Sequence, residues 1–120
     1  MPKINSEVKQ IIEANPIAFA TINIDGTPNV IGVAFVKVVS LNQVLITDNY
    51  MGQTKNNINS NNAICLAVWD KDWNGYKLIG TAKYFTDGKW KTYVEQMPDN
   101  KGLPAKGAVL ITVTNIEKLA

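Results

Sequence analysis

Val44-Leu45-Ile46-Thr47-Asp48-Asn49-Tyr50-Met51-Gly52-Gln53-Thr54-Lys55-Asn56-Asn57-Ile58 passes from a strand through a polar loop into the start of a helix. Val44–Thr47 is short, apolar and β-branched, which suits a strand. Asp48–Gln53 is the loop. Thr54–Asn61 follows as a short helix of poor intrinsic propensity, because Asn56, Asn57, Asn59 and Asn61 all disfavour a helix interior. A helix this weak needs tertiary support or a ligand. Its N-terminus offers unpaired backbone N–H groups and the positive end of the helix dipole, which together suit an anion. Thr54 is either the cap of that end or a hydroxyl donor to an anion. Lys55 either brings charge to the same turn or is a solvated surface lysine.

Upstream, Ile4, Val8, Ile11 and Ile12 recur at helical spacing, Asn5 or Ser6 can cap, and Asn15-Pro16 stops the run. The first helix is therefore predicted over about Ser6 to Ala14. Ile17–Ile24 reads as a strand, and Asp25-Gly26 as a hairpin turn with positive φ at both central positions. Pro28 to about Val39 is predicted as one long strand with both faces at least partly covered. Gly32 inside it marks a bend, a bulge or the close approach of something else. Ser40–Gln43 turns the chain into Val44–Thr47.

Downstream, Ala63–Trp69 and Tyr76–Phe85 are the fourth and fifth strands, joined by the loop Asp70–Gly75. Asp87-Gly88 turns again. Trp90, Tyr93, Val94 and Met97 at helical spacing predict a second amphipathic helix, packed as a plug. Pro98–Lys106 is a loop, and Val109–Val113 closes the pattern. Six strands in mostly hairpin order, with two or three short helices, favour an antiparallel barrel plugged at its ends. The 120 residues fit one domain, 1–120.

Composition removes several chemistries. The sequence has no histidine, so Cys-His and Ser-His-Asp arrangements and the ordinary zinc sites are excluded. Cys65, the single cysteine, lies in an apolar run and reads as a buried core thiol. The net charge is +2, and all twelve basic residues are scattered lysines, which argues against nucleic-acid binding. GxGxxG and GxxxxGK[ST] loops are absent. Most acids sit in turns or on helix surfaces, so paired-carboxylate hydrolysis is not expected, and no side chain stands out as catalytic. The longest apolar stretch, Val30–Val39, is too short for a membrane-spanning helix. The N-terminus lacks an apolar run and cleavage site, so the expected compartment is the cytoplasm, with no membrane partner.

Taken together, the segments resemble the pyridoxamine 5'-phosphate oxidase-like family of FMN-binding split barrels, in its minimal single-domain form. The resemblance is carried by the entry helix, by Ile17-Ala18-Phe19-Ala20-Thr21 with Asp25-Gly26-Thr27-Pro28, and by Thr47 to Asn62 with Gln53-Thr54, Asn57-Ile58 and Asn61-Asn62. Gly80-Thr81-Ala82, Asp87-Gly88 and Ala108–Val113 complete it. The resemblance implies a mainly β fold, a six-stranded antiparallel split β-barrel of Greek-key type. It further implies a homodimer with FMN in a groove between subunits. The phosphate would lie at the helix after the third strand, near Thr47, Asp48, Met51, Gln53, Thr54, Lys55 and Asn57. The isoalloxazine would lie against Val30, Ile31, Gly32 and Val33, with the partner's loop around Leu103 and Pro104 closing over it. Two positions depart from the family pattern: Gln53 stands where a cation is usual, and Asn62 where proline is usual.

The resemblance implies a flavin-dependent oxidoreductase or electron-transfer protein of unspecified substrate. Pyridoxamine 5'-phosphate oxidation itself is not expected, since the chain lacks the arginine and histidine that substrate recognition in that enzyme calls for. The competing readings are a protein that holds FMN, a deazaflavin or haem without turnover, and a cofactor-free dimer in which Gln53 reports a lost site. Histidine-ligated haem is excluded by composition.

Overall fold

The computed structural model describes residues 2–119. Helix α1 (Ser6–Ala14) is followed by strands β1 (Ile17–Ile22), β2 (Pro28–Val33), β3 (Val36–Ser40) and β4 (Gln43–Asp48). Helix α2 (Gln53–Ser60) then leads to β5 (Ala63–Trp69), β6 (Gly75–Phe85), α3 (Gly88–Glu95), a 3-10 turn (Pro98–Asn100) and β7 (Gly107–Lys118). All strand pairs are antiparallel, in the order β2-β1-β5-β6-β7-β4-β3.

The sheet is not closed, yet its two edges, β2 and β3, are joined by only Ala34 and Phe35. Val33 and Val36 can then lie no more than roughly 11 Å apart. The sheet has to curl until its edges nearly meet, which makes a barrel with an open seam. This corrects the expected strand count from six to seven. The predicted strand Pro28–Val39 breaks where Phe35 takes a left-handed φ of 57°, a conformation no strand interior accommodates. The last strand runs twelve residues, well beyond the predicted Val109–Val113.

Two apolar clusters fill the fold. Phe19, Ile46, Leu66, Leu78 and Ile111 lie inside the barrel, with Val8, Ile11 and Ile12 of α1 packed onto them. Asn5 caps α1, its Oδ1 accepting from the Val8 N–H at 2.9 Å. The second cluster holds Leu45, Val94, Met97, Ala105 and Ala108, so β4 is covered on both faces. Helix α3 plugs that side through Val94. Trp90 is half-buried and packs against the same cluster, while Tyr93 is exposed, so one of the two ring positions expected to anchor the helix does so.

Other details depart from expectation. In the β1–β2 hairpin only Gly26 has positive φ, and Asp25 instead binds the N–H and hydroxyl of Thr27. Gly80 sits at a register shift between β6 and β7, where a β-carbon would collide with the Thr112 carbonyl. Cys65 is half-buried on the outward face of β5 and not in the core. Burial raises its thiol pKa, which keeps it a poor nucleophile.

Candidate functional site

Where the open edge of β2 faces the β4–α2 connection, the chain encloses a cavity of about 400 Å³. Ile31, Gly32 and Val33 form its β2 wall, and Ala34 and Phe35 extend that wall toward β3. Thr47, Met51, Gln53 and Thr54 form the opposite wall with Asn49, Tyr50 and Gly52, and Leu103 closes one end. The size falls within the usual range for a small-molecule site. β2 pairs only with β1, so its other edge offers backbone N–H and C=O groups without ladder partners.

The helix start that faces this cavity is built differently from expectation. Gly52 is the N-cap residue, and no side chain caps the helix. Thr54 is instead the second helical residue, 1% exposed, and its hydroxyl accepts from Asn29 Nδ2 at 3.2 Å. A hydroxyl that accepts in this way still has its own proton to donate. The first-turn amides of Gln53, Thr54 and Lys55 precede the point where intrahelical bonding begins. Backbone donors, the dipole and the Thr54 hydroxyl therefore converge at one end of an otherwise largely apolar cavity.

The remaining predicted residues do not line it. Asp48 is fully buried; its carboxylate accepts from the Met51 N–H at 2.7 Å and from the Tyr84 hydroxyl. Lys106 donates to the Met51 carbonyl at 2.9 Å and lies 3.9 Å from the same carboxylate. Asp48 thus pins the loop that shapes the helix start. Burial, then the Asp48 carboxylate, push the Tyr84 phenol well above its ordinary pKa. The Lys55 ammonium lies over the Tyr84 ring, 5.0 Å from its centroid. Asn57, 1% exposed, donates to Thr21 Oγ1 at 2.9 Å and Asn23 Oδ1 at 2.8 Å, and accepts from Gln53 Nε2 at 2.9 Å. Val30 is 64% exposed on the outer face of β2. Pro104 follows Leu103 but is not in the wall.

Thr21, Asn23 and Asn29 tie α2 to the β1–β2 hairpin, and sequence reading did not single them out. They supply the tertiary support that the asparagine-rich helix requires. The signal available in the sequence was that surplus of asparagines, which names one side of the network and not the other.

The sequence profile described as pyridoxamine 5'-phosphate oxidase matches residues 4–120. The chain belongs to the pyridoxamine 5'-phosphate oxidase family. An uncharacterized protein of Methanocaldococcus jannaschii is 33% identical over 124 residues, covering 98% of this chain and 81% of that one. Among solved structures, HupZ of Group A Streptococcus superimposes with a TM-score of 0.89 at 28% identity, over 97% of this chain and 94% of that one. An FMN-binding protein from Syntrophomonas wolfei shares the fold, with a TM-score of 0.78 at 14% identity over 93% of this chain and 83% of that one. No helix among the described residues is long and apolar enough to cross a membrane.

Proposed function

We propose that this chain is an FMN-binding flavoprotein of the cytoplasm that works as a homodimer, in an oxidoreductase or electron-transfer role. The observation that carries the reading is Gly32. It interrupts a strand at a cost in packing and propensity. Yet it has no positive φ, no bulge in its register with β1, and nothing within 4 Å of where a β-carbon would sit. We read this glycine as room for the close approach of something outside the chain. The groups present suit FMN. A flat apolar wall at Ile31–Val33 matches a fused ring, and the α2 start with Thr54 matches a dianionic phosphate. A bound flavin would supply the one- or two-electron chemistry.

The protein's own part is to hold and shield. The free edge of β2 would hydrogen-bond the ring's polar rim, Leu103 would exclude water, and the amides at Gln53–Lys55 would receive the phosphate. Gln53 puts no charge there, and its side chain is committed to Asn57. The site therefore depends on amides and one hydroxyl more than on an ion pair.

Absorbance of the purified protein with and without added FMN is the direct test; a protein that stays colourless with FMN in excess overturns the reading in favour of a cofactor-free dimer. Thr54→Val should cost about tenfold to hundredfold in FMN affinity, the worth of one hydrogen bond to a charged acceptor. Riboflavin, which lacks the phosphate, should bind the variant and the parent alike. Parallel losses for both ligands would leave Thr54 as no more than a support for Asn29.

A further inference from the structure

Three non-glycine residues among those described have positive φ: Phe35, Trp73 and Ala105. Two have a local reason. Asp70 organises the loop around Trp73, its Oδ1 accepting from the N–H groups of Asp72 and Asn74, and the Trp73 ring stacks on Trp69. Ala105 is buried, and its N–H is held by Asn49 Oδ1 at 2.9 Å. Phe35 has neither. The residue belongs to neither apolar cluster and is 38% exposed. A bulky residue in the left-handed region is strained, and such strain concentrates at ligand sites.

The surroundings of Phe35 say what the strain is for. Ala34 and Phe35 line the 400 Å³ cavity on one side and a second cavity of about 290 Å³ on the other. The second holds Glu13 and the Lys37–Asp99 ion pair. The crossover from β2 to β3 is thus the partition between an apolar and a charged compartment, and an aromatic ring stands in that partition. A glycine or asparagine would take the same backbone shape with less strain and would leave the two compartments without an aromatic wall.

We infer that Phe35 is the ring-recognition residue of the site: its phenyl packs on the fused ring of the bound ligand and closes the cavity toward the charged compartment. The inference rests on the proposed flavin reading for the ligand's name, but on the cavity alone for its shape. Phe35 is then a specificity-determining residue for planar ligands, acting on the ring as Thr54 acts on the phosphate.

The test uses the full chain with Phe35→Asn and Phe35→Trp, titrated with FMN, riboflavin and, as an unrelated planar ring, haemin. Phe35→Asn should melt no lower than the parent, because asparagine tolerates the left-handed region, and should weaken FMN and riboflavin equally, by tenfold or more. Phe35→Trp should keep affinity within about threefold and strongly quench bound-flavin fluorescence, since an indole in contact with an excited flavin donates an electron to it. Unchanged flavin affinity in Phe35→Asn, or bright bound flavin in Phe35→Trp, overturns the inference while leaving the flavin reading intact. A parent that takes haemin but no flavin, and loses haemin on Phe35→Asn, overturns the flavin reading and supports this one. A parent that binds none of the three overturns both.

Discussion

Gly32 can be replaced without touching the fold, and that makes it the sharpest residue-level probe of the site. Because a β-carbon there meets open space, Gly32→Val should leave stability unchanged or raise it by up to about 1 kcal/mol, the span of strand propensities. Gly32 also borders the outer patch described below, so the test is a variant whose mass by light scattering matches the parent's: its flavin affinity should fall at least tenfold, read by fluorescence titration, and binding as tight as the parent's would sink the ring placement. Tyr84 gives the pH test. Its folded pKa is raised above the ordinary 10.0, by burial first and the Asp48 carboxylate second. A group shifted that way contributes its stability in full below the unfolded pKa and loses it as pH climbs toward the folded one. Urea unfolding should therefore weaken above about pH 10, and Tyr84→Phe should flatten that part of the slope relative to the parent. At neutral pH the variant should be roughly 1–3 kcal/mol less stable, because the buried Asp48 loses a donor. Neither residue's role was legible in the sequence: Gly32 left three explanations open, and only the pairing of Asp48 with a residue 36 positions away shows that this acid pins the loop.

At the scale of elements, local chemistry gave most boundaries, since caps, prolines and glycine turns act within a few residues. Helix α1 and strand β5 fall where spacing put them. The larger errors come from distant contacts. The predicted strand Pro28–Val39 has continuous apolar character, but the first half pairs with β1 and the second with β4 at the opposite edge. No local pattern marks that change of partner. Helix α2 has poor propensity and forms because Asn57 and Thr54 bond to the β1–β2 hairpin. Helix α3 shows the same limit in reverse: four residues at helical spacing do not say which of them reach the core. Val94 is fully buried, while Tyr93 is 42% exposed. Val94→Ala should accordingly cost about 2–3 kcal/mol in chemical denaturation, from lost burial plus a cavity. Tyr93→Ala should stay within about 0.5 kcal/mol, as for an ordinary surface position. The opposite order would mean that α3 packs by a different face.

At the scale of the molecule, the outer face of the β2-β1-β5-β6 half is the surface a lone subunit cannot account for. Register aligns Ala18 with Gly32 and Ala67, and Ala20 with Val30 and Cys65, while Cys65 faces Ile79. The result is a patch of small side chains with Val30 standing 64% exposed at its edge and the Lys77–Glu117 ion pair flanking it beyond Ala67. Beside it the Trp69 and Trp73 rings stack at 6.2 Å between centroids, 41% and 74% exposed. Small residues along β1 and β2, bordered by an ion pair that carries both signs, suit a copy of the same surface, because a two-fold interface has to be complementary to itself. The patch borders the cavity, since Gly32 belongs to both, so a partner seated there would cover the site's open side. Light scattering should return twice the 13.2 kDa chain mass at micromolar concentration. Val30→Glu should return the single-chain mass, because pairing would bury like charges near the axis without partners. The coupling to function is the stronger test. If the partner completes the cavity, Val30→Glu should lose FMN and riboflavin affinity together while its far-ultraviolet circular dichroism stays that of the parent. A folded monomer that binds flavin at full strength would separate the site from the interface and remove the homodimer from the proposed function.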